Sequence, residues 1–330
     1  MLNFIKKIKD NRLQNIIDSV ALGDTKAFEL VKNQFPEYDP SFLWLLCYSR
    51  EGKLIERKYI EENYKKFCLI FDPSFPKIFA SNGNFESRMW EMILCDILSS
   101  SGKLEPKTKD GVDFVLKSNT NEDIQIEATT SNESDDQELR AIRPDYSVNK
   151  IFELSGDIEN LEKPILLRVF GSFIRKANKK NYNTQKPLII AINSSKVVGT
   201  SSDDEYILRR LLFGLGYYTI TQTKDGSRYL GFQQNALLNK PNKDSFDVAV
   251  FRDSRYSHIS GVIYTSQQSL GFTPANGYSW SNSGIMFARN PMAVNPVKMA
   301  FPLFKEIICH EGIYQTLEAK ENFKSVVNLD

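Results

Sequence analysis

Residues 188 to 192, Leu-Ile-Ile-Ala-Ile, are apolar at every position. Successive side chains of a strand point to opposite faces, so a strand of this composition has no face suited to water. It belongs inside a sheet covered on both sides, and that requirement makes the chain a layered α/β structure. Lys186-Pro187 stands immediately before it as a break.

The segments around this strand define an order. Apolar residues recur at Ile16, Ile17, Val20 and Leu22 and again at Phe28, Val31 and Phe35, with Asp24-Thr25 as a cap. Residues 41 to 48 are too apolar for solvent, and a further helix is expected at 57 to 69, before Pro73 and Pro76. Residues 1 to 78 therefore read as a helical N-terminal region. Ser81-Asn82-Gly83-Asn84 caps a helix from Phe85 to about Ser99. Strands follow at 112 to 117 and 123 to 129, then a polar, irregular stretch at 131 to 163 with Glu133, Asp135, Asp136 and Glu138. A segment from Pro164 to Tyr182 becomes helical in its later part. With the buried strand, this gives a core over 79 to 195. A C-terminal α/β extension over 196 to 330 is expected to hold a helix at 203 to 213 and strands at 246 to 251 and 258 to 265. Its last helix is expected at Leu303 to Cys309, resuming at 313 to 327. Gly214 reads as a helix terminus.

The two strands of the core carry the chemistry. Val112, Phe114 and Leu116 share one face of the first, leaving Asp113 and Val115 opposite; Ile124, Ile126 and Ala128 share one face of the second, leaving Gln125, Glu127 and Thr129. A turn centred on Thr120 pairs 117 with 123 and sets 113 against 127. Opposed side chains have Cβ atoms about 4.5–5.5 Å apart. Two carboxylates so close repel unless a cation lies between them or one holds a proton. Carboxylate oxygens suit Mg²⁺, which can acidify a bound water and neutralise charge on a phosphate.

Gly-Val-Asp113-Phe-Val-Leu followed by Ile-Gln-Ile-Glu127-Ala-Thr resembles the Asp…(Asp/Glu)-x-Lys signature of the PD-(D/E)XK nuclease superfamily. Asn-Gly-Asn-Phe-Glu86-Ser-Arg-Met-Trp-Glu91 resembles the acidic helix that precedes it in Mrr-like and uncharacterised bacterial members. The resemblance covers residues 84 to 192, about 110 of the 330. It implies a restriction-endonuclease-like core, a mixed central sheet flanked by helices. It also implies a Mg²⁺-dependent endonuclease, with Mn²⁺ as a substitute, that hydrolyses DNA and leaves a 5′ phosphate. Asp113 and Glu127 would bind the metal with the Ala128 carbonyl.

Two residues depart from the signature: Val112 replaces proline, and Thr129 replaces the lysine that orients water and stabilises charge. Some members supply that lysine from the following helix, where Lys176, Lys179 and Lys180 are candidates. Lys176 and Lys180 are spaced i,i+4, and Lys176 adjoins the apolar stripe of Phe170, Phe173, Ile174 and Ala177, so Lys176 is favoured. Arg168, Arg175, Lys179 and Lys180 are candidates for nucleic-acid contact. In the acidic helix Glu86 falls within the core-facing stripe of Phe85, Met89, Ile93 and Ile97, a costly place for an unpaired carboxylate. It therefore stands ahead of Glu91, which is kept as a metal ligand; a salt bridge to Arg88 or Arg168 is the structural alternative for Glu86.

Other classes find less support. Cys47, Cys68, Cys95 and Cys309 form no CxxC pair and read as free thiols of a reducing compartment. With only His258 and His310, no motif supplies a zinc centre or a Ser-His-Asp triad. No stretch approaches the ~20 apolar residues of a membrane span, and MLNFIKKIKDNRLQ lacks the apolar run of a signal peptide, so a cytoplasmic location is expected. The net charge of +1 still allows a basic cleft. The missing motif lysine motivates the alternative: an inactive nuclease-fold module that binds nucleic acid or a partner protein. Duplex cleavage calls for two active sites, which makes a homodimer a further expectation.

Overall fold

The computed structural model describes residues 25–47, 51–106, 111–131, 158–197, 204–239, 245–267, 284–310, 313–317 and 324–326. The expected helix around Ile16 to Leu22, the acidic cluster at 133 to 138 and residues 268 to 283 lie outside them.

The fold is mixed α/β. Among the described residues, four helices occupy the N-terminal region: α1 (Thr25–Gln34), α2 (Pro40–Cys47), α3 (Glu51–Phe67) and α4 (Phe75–Ala80). Pro76 does not end helical structure but sits in the first turn of α4, where its missing N–H costs no hydrogen bond. Then come α5 (Phe85–Leu98), β1 (Gly102–Pro106), β2 (Phe114–Ser118), β3 (Asp123–Thr130), α6 (Ile158–Ala177) and β4 (Leu188–Asn193). The C-terminal part adds α7 (Asp204–Phe213), β5 (Leu215–Gln222), β6 (Arg228–Gln234), β7 (Leu237–Asn239), β8 (Ser245–Asp247), β9 (Gly261–Thr265), β10 (Met286–Arg289), β11 (Lys305–His310), β12 (Ile313–Leu317) and β13 (Lys324–Val326). Nine strands form one sheet in the order β1-β2-β3-β4-β9-β10-β11-β12-β13, while β5-β6 and β7-β8 form separate ribbons. The N-terminal, central and C-terminal segments thus contribute to a common layered structure.

The sheet is covered on both faces, as Leu188 to Ile192 requires. Ile189 and Ala191 pack with Ile124, Ile126 and Ala128 of β3 against α5 and the N-terminal helices. Leu188, Ile190 and Ile192 pack on the other face against α6 and α7. Trp90 of α5 is fully buried, and its indole N–H donates to the Ala191 carbonyl at 3.1 Å. One side chain therefore fixes the acidic helix to the central strand.

Several expectations need correction. β1 was not anticipated; it pairs antiparallel with β2 from Gly102↔Ser118 to Pro106↔Phe114. The stretch read as irregular to 163 turns helical at Ile158. Val112 precedes β2 and packs in the α6 layer rather than with Phe114 and Leu116. The strand expected at 246 to 251 is the short β8, which pairs with β7 and is followed by a 3-10 turn at Val250–Arg252. The expected C-terminal helix at Leu303 to Cys309 and 313 to 327 is instead β11, β12 and β13. β11 pairs parallel with β10 and antiparallel with β12. β11 and β12 pair in register from Glu306↔Leu317 to His310↔Ile313. Gly214 ends α7 as read: its φ is +67°, its N–H reaches the Arg210 carbonyl, and an added Cβ would lie 2.8 Å from Ala236 Cβ.

Trp90→Ala removes both the aromatic volume and the bond to Ala191, and is expected to destabilise the fold by about 3–5 kcal/mol. An unfolding free energy from urea denaturation within about 1 kcal/mol of wild type would contradict this packing.

Candidate active site

The hairpin β2–β3 has the register expected from its sequence, Lys117↔Asp123 to Phe114↔Ile126. Its turn is closed by Ser118, whose hydroxyl accepts from the Glu122 N–H at 2.9 Å, while Asn121 takes φ 60°. Asp113 lies one residue before β2, at the position that the register continues opposite Glu127. β3 runs on beside β4 as far as Thr130↔Asn193, but its pairing with β2 stops at Ile126. The edge of β3 is therefore open from Glu127 onward. There the Ala128 N–H would lack a strand acceptor, and the Asp113 carboxylate supplies one, with Oδ2 at 2.8 Å.

This opening is the floor of a cleft of about 360 Å³, lined by Asp113 and residues 128 to 130. One wall is the strip Asn84, Ser87, Arg88 and Glu91, whose 3-1-3 spacing places it on a single face of α5. The other wall is the end of α6 and the turn beyond it, with Arg175, Lys176 and Lys179. The two helices cover opposite faces of the sheet, so the cleft straddles its edge.

Glu127 is 1% exposed. A carboxylate this buried is very unfavourable unless compensated. The Lys176 ammonium donates to Glu127 Oε1 at 2.5 Å, and the Lys179 ammonium donates to the same oxygen. Oε2 of Glu127 is buried with no hydrogen-bond partner. Beside Glu127, the Thr129 hydroxyl accepts from Arg175 Nη2 at 3.0 Å. Across the cleft Arg88 pairs with Glu91 at 2.7 Å.

Two neighbours feel the charges of these acids. The hydroxyl of Tyr182, which donates to the Lys176 carbonyl, is pushed far above the ordinary tyrosine range by burial and then by the charges of Glu127 and Asp113. Burial also raises the Cys95 thiol, reinforced by Glu91, Asp96 and Asp113. Asp113 thus contributes to both shifts, with Glu127 beside it in the first and Glu91 in the second.

Of the residues singled out by sequence, Asp113, Glu127, Lys176, Glu91, Arg175 and Lys179 come together. Glu86 does not line the cleft: it lies on the strip of α5 beside the lining one, and its Oε2 is buried. Glu91 lines the cleft instead. Arg168 and the exposed Lys180 are also absent from the lining. Lys176 and Lys180 share no helical face, because α6 ends at Ala177. Asn84, Ser87 and Arg88 were missed, although their spacing with Glu91 is a readable polar strip. His258 belongs elsewhere: its ring nitrogens face the carbonyls of Ala177 and Arg255. Cys68, Cys95 and Cys309 are free thiols.

Among the described residues no three His, Cys, Asp or Glu side chains converge tightly enough to encircle a metal ion, and no helix is long and apolar enough to cross a membrane. No family model, curated protein or solved structure matches the chain.

Tyr182 carries a pH prediction. Its folded-state pKa is raised, so the folded protein keeps a proton that the unfolded chain releases above about pH 10. Stability is unaffected below that value and falls as pH rises beyond it. Tyr182→Phe should reduce the slope of unfolding free energy against pH between about 10 and 12 by one proton. An unchanged slope would place the hydroxyl in water.

Proposed function

We propose that the chain is a metal-dependent endonuclease acting on DNA phosphodiester bonds in the cytoplasm, with a restriction-endonuclease-like core from α5 to β4. One observation carries this reading: the buried Glu127, one of its oxygens without a hydrogen-bond partner, adjoins Ala128 and is held by Lys176 and Lys179, which line a cleft together with Asp113. The order α5-β1-β2-β3-α6-β4, with β3 antiparallel to β2 and parallel to β4, supports the proposed core.

The donor set suits a hard divalent cation. Glu127 Oε2, the Asp113 carboxylate and the Ala128 carbonyl are oxygen donors at the opened strand edge, and Glu91 offers another across the cleft. Asp113, Glu127 and Ala128 would hold Mg²⁺, or Mn²⁺ in its place. When bound, such an ion supplies an acidified water and neutralises phosphate charge.

The chain's own residues account for the rest. Lys176 lines the cleft with its ammonium on Glu127, where it can stabilise charge growing on an attacked phosphate and so fill the role that Thr129 cannot. Lys179 is the more exposed of the two, 39% against 16%, and is the one free to turn towards a nucleic-acid backbone. Tyr182, held on the Lys176 carbonyl, fixes the backbone that carries the first lysine. Restriction, phage defence and repair all use this chemistry, and a homodimer would bring two such clefts to a duplex.

A second reading rests on Thr129 and on the double lysine contact to Glu127, which together leave the acid neutralised without a metal. It makes the chain a non-catalytic module that binds nucleic acid or a partner protein. Incubation with supercoiled plasmid in Mg²⁺, Mn²⁺ or EDTA separates the two. The nuclease reading expects nicking or linearisation with either metal, reduced to the EDTA level by Asp113→Ala or Glu127→Gln and lowered about 10²–10³-fold by Lys176→Met. Binding of DNA with the same affinity with and without metal, and no cleavage, would favour the module.

A further inference from the structure

Four cations line the cleft, and three of them have anionic partners. Arg88 is paired with Glu91, while Lys176 and Lys179 share Glu127. Arg175 meets no carboxylate among the described residues; its hydrogen bond runs to Thr129 Oγ1, a neutral acceptor. A charged group without a counter-ion, held beside a cleft, is suited to an anion arriving from solution.

Its geometry narrows the kind of anion. Thr129 is 4% exposed and follows Glu127 by two residues on β3, so its hydroxyl is fixed on the same sheet face by the strand itself. Arg175 sits in the last turn of α6, with its guanidinium on that hydroxyl. A guanidinium presents five N–H donors in one plane, and Thr129 engages one nitrogen of the three. Nη2 carries a second N–H, so one of the two bidentate edges stays open as a planar fork, matched to two oxygens on one centre, as in the non-bridging pair of a phosphodiester. The resemblance puts a lysine at residue 129, a flexible point charge. This chain has a short hydroxyl there, with a planar cation resting on it.

We infer that Arg175 grips the non-bridging oxygens of a backbone phosphate, and that Thr129 is the positioning residue that sets its angle. The inference rests on the nucleic-acid reading above and deepens it. Such a contact holds the strand in register over Glu127 and Asp113 and carries no base-sequence information. It also divides the work of the missing lysine: Lys176 stays on the acid, and Arg175 takes the phosphate.

The test is a titration of the full chain against a fluorescein-labelled DNA duplex in EDTA, over a series of salt concentrations. Arg175 is exposed, so Arg175→Ala should fold, as its melting curve can verify. It is expected to weaken binding about tenfold and to make the slope of log affinity against log salt shallower by about one. Arg175→Lys should keep the slope but bind more weakly than wild type. Thr129→Val should weaken binding several-fold without changing the slope, and Thr129→Ser should restore it. Wild-type affinity and slope in Arg175→Ala, or no binding by the wild-type chain, would overturn the inference. Wild-type affinity in Thr129→Val would remove the positioning role. Cleavage is scored separately in Mg²⁺. Arg175-dependent binding without cleavage by any variant would sink the enzyme and keep the clamp. Cleavage by Arg175→Ala at the wild-type KM would sink the clamp and keep the enzyme.

Discussion

A negative charge buried at the edge of a sheet organises this molecule. Glu127 sits at 1% exposure, one strand position beyond the last β2–β3 pair. An isolated carboxylate there would cost several kcal/mol, on the order of the desolvation penalty of a buried ion. The structure offsets that cost from one direction only, with two ammonium groups from the end of α6 on a single oxygen. The arrangement serves stability poorly, because an apolar residue would fill the same place without desolvation. Retaining the acid makes sense where its second oxygen has a use.

The remaining parts follow from holding that charge in place. β3 must continue past β2 to open an edge, and Asp113 closes the backbone group so exposed. α6 must end near Glu127 to deliver Lys176 within its last turn and Lys179 just beyond it. α5 must present Glu91 and Arg88 from the opposite layer, and the Trp90 bond to Ala191 fixes its height on β4. Each of these contacts joins segments far apart in sequence, so the cleft exists only when the sheet is assembled.

Sequence revealed the parts of this site that depend on local pattern. The alternation in β2 and β3, with the Ser118 to Glu122 turn, was enough to set Lys117 against Asp123 and so to pair the positions of Asp113 and Glu127. The all-apolar run of β4 predicted its two covered faces. Patterns that depend on where an element stops were not legible. Lys176 and Lys180 look like one helical face until α6 ends at Ala177. Glu86 looked the better acid because its stripe is the apolar one, yet a wall of a polar cleft is built from the adjacent strip with Ser87 and Glu91. The Arg175–Thr129 contact spans 46 positions and has no local signal at all. At the C-terminus, apolar residues at mixed spacing in 303 to 317 suited either period, and only pairing with β10 decides for strands.

The central claim is that the oxygens of Glu127 and Asp113 are kept for a divalent cation. Anomalous diffraction from crystals soaked in Mn²⁺ tests it directly. The account predicts a peak within about 2.0–2.4 Å of an oxygen from each carboxylate, with at least one lysine displaced from Glu127. Saturating Mn²⁺ that leaves both ammonium groups on Glu127 and no peak beside it would contradict the account.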